Sequence, residues 1–148
     1  MTFRVWLLAS SCGLALACSS HDCQLDDDLR LFAGDDAVDC GSADATHERA
    51  DIDKCAADAF EAGQPFMARY ERMGVDSQVV NAVASNSDGK VKIFRWDTAP
   101  CGGPACGPAT DVQSCNGPTL NLETPADPSA LPISCDTLGL PQRICDGS

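Results

Sequence analysis

The chain has 148 residues, 10 of them cysteine, with an aromatic content of 5% and a formal net charge of -12. Its length suits one small domain, in which cross-links are expected to supply stability that few large side chains can provide. Such an acidic surface repels nucleic acid and anionic lipid head groups, so neither is expected as a direct partner.

The amino terminus has the layout of an export signal. Residues 5–17 form an apolar stretch behind a single charged side chain, Arg4. The stretch is shorter than the ~20 residues that a membrane-spanning helix needs, and it ends in Ala-Leu-Ala, the small-x-small pattern that a signal peptidase accepts. We therefore expect residues 1–17 to be a signal peptide that is cleaved just before Cys18.

The same stretch resembles the signal of bacterial lipoproteins. The resemblance rests on Leu14, Leu16, Ala17 and Cys18. Ala15 stands where the commonest form of this motif has leucine. The resemblance implies that Cys18 is alkylated with diacylglycerol and becomes the first residue of the mature chain. Two or three acyl chains, palmitate among them, would then anchor the protein stably in a membrane.

The residues after Cys18 indicate which membrane this is. Ser19 and Ser20 follow the cysteine, at the place where an aspartate would favour retention at the inner membrane in this family. The resemblance therefore implies an outer-membrane lipoprotein, with the folded part facing either the periplasm or the cell surface.

The number of cysteines supports lipidation independently. If Cys12 leaves with the signal peptide and Cys18 carries lipid, an even number of cysteines remains for disulfide bonds. These are Cys23, Cys40, Cys55, Cys101, Cys106, Cys115, Cys135 and Cys145. Cleavage at the same place without lipid would leave an odd number of cysteines and hence one unpaired thiol, although cleavage a few residues later would restore the even number. Eight cysteines allow on the order of 100 pairings, among which the sequence does not choose.

Residues 18–40 follow as an acidic segment. We expect the lipidated amino terminus to continue here into a tether, with a short edge strand at residues 29–32, where the apolar pattern alternates weakly. The carboxylates at residues 26–28 and 35–36 are expected to be solvated, and weak calcium binding by scattered carboxylates is the alternative.

Residues 41–148 are expected to form one disulfide-stapled α+β domain that begins with a helix. Apolar side chains recur with the spacing of one helix face at Ile52, Cys55, Ala56, Ala59 and Phe60. Thr46 is the predicted N-cap, and Gly63 followed by Pro65 is expected to end the helix.

Three strands of an antiparallel meander are predicted next, at residues 66–71, 79–84 and 91–96. Between the last two, Asp88 and Gly89 supply the sequence of a tight hairpin turn, which requires positive φ angles. The predicted fold class is therefore α+β, with one amphipathic helix packed on a small antiparallel meander.

The composition beyond Trp96 shifts to proline, glycine and cysteine and shows little periodicity. This composition favours ordered loops that are fastened by disulfides. Short strands at residues 119–122 and 143–145 are expected to extend the sheet.

Two sequence patterns bear on metal binding. Cys101 and Cys106 are separated by four residues, a spacing that suits a disulfide better than a metal or redox pair. A calcium loop with Gly89 as its central glycine would need acidic residues where Ala84 and Arg95 stand. No metal ligand and no cofactor are therefore predicted.

The sequence does not indicate a catalytic histidine. His47 falls among charged neighbours in the first turn of the predicted helix. A solvent-exposed or capping role fits this position better than a hydrolase set with Asp44 or Asp51, since no nucleophile elbow is present. No catalytic residue is predicted.

Residues 78–82 (QVVNA) partly resemble the Gln-x-Val-x-Gly hairpin with which cystatin-type inhibitors enter the cleft of cysteine proteases. Ala82 replaces the glycine of that motif, and a strand, a helix and a meander in this order are similar to the cystatin fold. The resemblance implies a secreted cystatin-like protease inhibitor as an alternative function. A hydrolase whose site no short motif reveals is a further alternative.

The layout as a whole resembles small cysteine-rich lipoproteins of unknown function that are common in myxobacteria. The shared features are the leader, the lipid-bearing cysteine, the acidic segment, the helix, the hairpin and the disulfide-rich end. We therefore expect an exported, lipid-anchored envelope protein that serves as a non-enzymatic binding or structural module. Its expected partners are the membrane, through the lipid, and another protein of the envelope.

Overall fold

A seven-stranded sheet with helices packed on its two faces forms the centre of the structure. The computed structural model describes residues 23–44, 48–73, 76–103, 105–122 and 130–147. In chain order the elements are α1 (Leu25–Ala33), β1 (Val38–Ala43), α2 (Arg49–Glu61), β2 (Phe66–Met73), β3 (Gln78–Ser85), β4 (Val91–Asp97), β5 (Ala109–Leu120), β6 (Ile133–Leu138) and β7 (Gln142–Asp146).

The strands lie in the order β1-β2-β3-β4-β5-β6, and β7 also pairs with β5. β1 runs parallel to β2, and all the other paired strands are antiparallel. β6 pairs with residues 115–120 of β5, and β7 pairs with residues 109–112. β6 and β7 therefore follow one another along the same edge of β5.

The predicted meander is confirmed as strands β2, β3 and β4. In the turn between β3 and β4, the side-chain oxygen of Asn86 accepts hydrogen bonds from the backbone amides of Asp88 and Lys90 at 3.1 and 3.0 Å. Gly89 adopts a φ angle of 72°, the positive value that the hairpin prediction requires.

The predicted helix is confirmed as α2, which begins at Arg49 with Glu48 as its N-cap. The predicted cap, Thr46, lies outside the described residues. The helix ends at Glu61, two residues before Gly63, whose φ angle is 64°. The α+β class is thereby confirmed, although α2 is one of two helices in the described chain.

The prediction of a short edge strand at residues 29–32 is wrong, because this segment belongs to helix α1. Leu25, Leu29 and Ala33 are buried on one side of this helix, while Leu31 is 89% exposed. Three aspartates occupy the first turn, where the positive end of the helix dipole favours them. Neither helix in the described ranges is long and apolar enough to cross a membrane.

The region predicted as disulfide-fastened loops contains three strands, β5, β6 and β7. β5 has 12 residues, and the predicted strand at 119–122 overlaps only its end. β6 was not predicted, and β7 includes the predicted strand at 143–145. Pro118 is tolerated in β5 because pairing with β4 ends at Cys115, so the strand has only one neighbour at the proline.

Each face of the sheet has its own core. α2 packs on the face that includes Phe66 and Tyr70 of β2. α1 packs on the opposite face, around Met67 and Phe94. Successive residues of a strand point to opposite faces, so β2 contributes to both cores.

Four disulfides join the eight predicted cysteines, and the prediction of disulfide bonds is confirmed. The pairs are Cys23–Cys145, Cys40–Cys55, Cys101–Cys106 and Cys115–Cys135. The first pair links residues that are 122 positions apart, the start of the described fold and its last strand. Four disulfides are compatible with a location outside the cytoplasm, where oxidising conditions preserve them.

Because α1 packs on the sheet, substitutions of two of its leucines are expected to change the free energy of unfolding by very different amounts. Leu29 is 0% exposed, so Leu29→Ala should lower the free energy of unfolding by about 2–5 kcal/mol through lost burial and a residual cavity. Leu31→Ala, on the exposed side, should change it by less than about 0.5 kcal/mol. Urea unfolding with disulfides intact measures both; equal effects would show that α1 does not pack as described.

Candidate functional site

The residues singled out in the sequence do not converge on one site in the described structure. Cys18 and His47 lie outside the described residues. Cys101 and Cys106 form a disulfide in the loop between β4 and β5. Residues 78–82 lie inside β3, which pairs with a strand on each side, so this segment does not form the exposed turn of a cystatin-like wedge.

A polar cleft beside the start of α1 is the best candidate for a functional site. It has a volume of about 300 Å³ and lies between the first turn of α1 and the α1-facing side of the sheet. Its lining residues are Gln24, Leu25, Asp26, Ser42, Arg69, Glu71, Gln78, Val80 and Trp96. We refer to it as the Trp96 cleft. Four different strands contribute side chains to it.

Arg69 of β2 organises one side of the Trp96 cleft. Only 9% of this residue is exposed. Its Nε donates a hydrogen bond to Asp26 of α1 at 2.5 Å, and its Nη1 donates to Asp39 of β1 at 2.7 Å. A buried guanidinium without partners would be strongly destabilising, so these two carboxylates allow Arg69 to lie here and to tie three elements together.

The charge of Arg69 in turn affects Asp39. Burial raises the pKa of Asp39, but hydrogen bonds from Arg69 and from the Gly41 amide outweigh burial, so the pKa lies below its usual value. The carboxylate therefore remains ionised in the folded protein at mildly acidic pH.

Glu71 lies on the same face of β2 and has a different environment. Its carboxylate accepts hydrogen bonds from the Ser42 hydroxyl at 3.3 Å and from the Gln78 amide nitrogen at 3.0 Å. Both donors are neutral. In the part of the chain that the structure describes, no basic side chain forms an ion pair with Glu71, so its negative charge is not neutralised locally.

Trp96 of β4 forms the apolar side of the cleft. Its indole Nε1 donates a hydrogen bond to the backbone carbonyl of Cys23 at 3.0 Å. Cys23 is itself held by its disulfide to Cys145. The ring is therefore fixed in orientation, and its Nε1 edge is already used by the protein.

The cleft combines negative charge with an aromatic wall. Its described lining contains two carboxylates, Asp26 and Glu71, and one basic side chain, Arg69, which forms ion pairs with Asp26 and with Asp39. An aromatic ring near Glu71, a carboxylate whose described partners are neutral, favours a ligand with an ammonium group, through charge attraction and cation–π contact.

A second polar cluster, between α2 and β2, has a structural role. The buried Tyr70 hydroxyl donates a hydrogen bond to Asp53 at 2.8 Å, and Arg49 lies over the Tyr70 ring at 4.9 Å. Arg49 also donates to the carbonyl of Ala130 at 2.5 Å. Burial and the hydrogen bond to Asp53 raise the pKa of Tyr70 far above its usual value, so the hydroxyl stays protonated as a donor.

Acidic side chains also line a groove between α1 and β7, where Asp27, Asp28 and Asp146 lie beside the apolar Leu31 and Ile144. Within the described ranges, no group of three or more histidine, cysteine or acidic residues is arranged to hold a metal ion. This groove therefore carries no metal assignment.

Comparison with known proteins adds no functional assignment: no family model, curated protein or solved structure matches the chain significantly.

The sequence predictions did not bring the residues of the Trp96 cleft together as one site, although Asp26 and residues 78–82 had been assigned other possible roles. The available signal was a pair of charged residues, Arg69 and Glu71, at alternate positions of the strand predicted at residues 66–71. Such a pattern marks a charged patch on one strand face. The contribution of Trp96 depends on the pairing of β3 with β4 and on the position of α1, which short sequence patterns do not specify.

The lowered pKa of Asp39 predicts a specific loss of stability in acid. A carboxylate whose pKa is lower in the folded state stabilises the fold above the unfolded pKa, and this contribution is lost as pH falls through the folded value. Asp39→Asn should therefore be less stable than the wild type at pH 7, and the difference should shrink below about pH 4.

Urea unfolding at pH 7 and at low pH tests this expectation. Asp35→Asn is the matched control, because Asp35 lies in the exposed turn after α1. A stability difference between wild type and Asp39→Asn that is the same at both pH values would contradict the assigned ion pair.

Proposed function

We propose that the chain is an exported, lipid-anchored protein of the cell envelope that acts as a non-enzymatic binding module, with the Trp96 cleft as its ligand site. Two sets of observations support the proposal. The cysteine pairing and the leader support the anchor, and the composition of the cleft supports a binding role.

The pairing of the cysteines is the observation that carries the anchor. All eight cysteines from Cys23 onward are joined to each other. Cys18 then has no disulfide partner among them, and an alkylated first residue accounts for it. The apolar leader ending in Ala17 supplies the signal that such a modification requires.

Ser19 and Ser20 support the outer membrane as the destination, by the sorting rule of the lipoproteins that the leader resembles. The acidic composition agrees with a module that binds partners other than nucleic acid. A protein of the envelope remains the proposed macromolecular partner, alongside the small ligand of the cleft.

The ligand proposed for the Trp96 cleft is a small organic cation with an ammonium group. Glu71 is the carboxylate best placed to receive it, because its described partners are neutral donors. Trp96 supplies the ring face, and Arg69 keeps the remaining carboxylates in position. The cleft volume of about 300 Å³ suits a molecule with few heavy atoms.

Substitution of the proposed lipid-bearing residue tests the anchor. Wild-type protein from cells grown with a labelled fatty acid should carry the label and sediment with membranes. The Cys18→Ser variant should lose both properties. Cys12→Ser should keep them, because Cys12 is removed with the leader. A soluble, unlabelled wild-type protein would refute the anchor.

Trp96 fluorescence tests the ligand site. Tetramethylammonium chloride should change the emission in a saturable manner, and sodium chloride at the same ionic strength should not. Glu71→Gln should weaken the response roughly tenfold, which corresponds to about 1.4 kcal/mol of lost attraction. Glu61→Gln, an exposed glutamate at the end of α2, is the control. Identical responses to the two salts would exclude an ammonium site.

A further inference from the structure

We infer that the folded domain is held close to the membrane, with Cys23 and the Trp96 cleft beside it in the half of the domain that is nearer the lipid head groups. This inference rests on the proposed anchor at Cys18. It goes further than the anchor because it restricts the orientation of the domain and places the cleft near the membrane.

Covalent geometry limits how far the domain can move from its lipid. Only residues 19–22 separate Cys18 from Cys23. Even a fully extended chain spans at most about 3.6 Å per residue, so the backbone of Cys23 lies within roughly 18 Å of Cys18. The acidic residues from 26 onward cannot lengthen this tether, because α1 is already part of the fold.

Cys23 cannot detach from the fold to extend the reach. It is 1% exposed, it is bonded to Cys145 of β7, and its carbonyl accepts the hydrogen bond from Trp96. The first point of attachment is therefore rigidly connected to both the edge strand and the wall of the cleft.

The size of the domain, together with the short tether, restricts how the domain can be oriented on the membrane. A domain of this length has a radius of gyration of roughly 14 Å and hence a diameter of roughly 35 Å. A domain turned over would hold Cys23 at its far side, about 35 Å from the lipid, which a tether of about 18 Å does not permit. Since the centre of the domain is at least about 18 Å from the membrane, Cys23 must lie in the half of the domain that is nearer the membrane.

The surface on this side includes Gln24 and Asp26, which follow Cys23 directly and line the Trp96 cleft. Asp27 and Asp146 lie in the neighbouring groove. These carboxylates are repelled by anionic head groups, so the close arrangement should be clearest on a zwitterionic bilayer.

Energy transfer from Trp96 tests the inference. Trp6 leaves with the leader, so Trp96 is the only tryptophan of the proposed mature chain. Mature lipoprotein purified from membranes is placed in phosphatidylcholine vesicles that carry a dansyl-labelled head group. A second protein has 24 Gly/Ser residues inserted between Ser20 and His21, which extends the mean reach to roughly 30 Å. Trp96→Phe supplies the background signal.

The expected result is strong transfer in the wild type and at least a twofold lower efficiency in the insertion variant. Equal efficiency in two vesicle-bound, labelled proteins, whether high or low, would overturn the inference and leave the anchor standing. Absence of acyl label and of vesicle binding in the wild type would refute the proposed anchor itself. The two failures are therefore distinguishable.

Discussion

The disulfide between Cys23 and Cys145 is the constraint on which the rest of the structure depends. It closes a loop with a sequence separation of 122 and joins the start of the described fold to the last strand. Chain-entropy models assign roughly 4–5 kcal/mol to a closure of this length. Trp96 donates a hydrogen bond to the Cys23 carbonyl. The disulfide at Cys23 therefore holds in place the start of α1, the Trp96 wall of the cleft and the beginning of the proposed tether.

The two cores show why cross-links matter in this chain. Many buried positions are alanine, including Ala56, Ala68 and Ala82, each 0% exposed. Small side chains allow close packing but bury little apolar area, and burial stabilises by only about 25 cal/mol per Å². Disulfides compensate by reducing the freedom of the unfolded chain. Arg69 complements them, because it links α1, β1 and β2 through ion pairs with Asp26 and Asp39.

Local pattern was sufficient for α2 and for the meander, whose periodicity and turn chemistry agree with the final structure. Local pattern failed where tertiary contacts determine the secondary structure. Residues 29–32 belong to the nine-residue helix α1, which is stabilised by burial of Leu29, and the exposed Leu31 gave this segment the alternating apolar pattern of a strand. β5 contains the turn-forming run Asn116, Gly117 and Pro118 but is held by neighbouring strands. The Trp96 cleft was not predicted, since its side chains come from four strands.

The central claim is that a lipid-bearing Cys18 lies a few residues from a cysteine joined to the last strand. Trypsin digestion of the membrane-purified protein, without reduction of its disulfides, tests both parts of this claim on one product. Cleavage after Arg30 and Arg143 releases residues 18–30 and 144–148, which contain Cys18, Cys23 and Cys145. We predict a single product in which these two peptides are disulfide-linked and the first carries acyl chains on its amino-terminal cysteine. An unlipidated amino-terminal peptide, or Cys23 linked to any other peptide, would contradict the account.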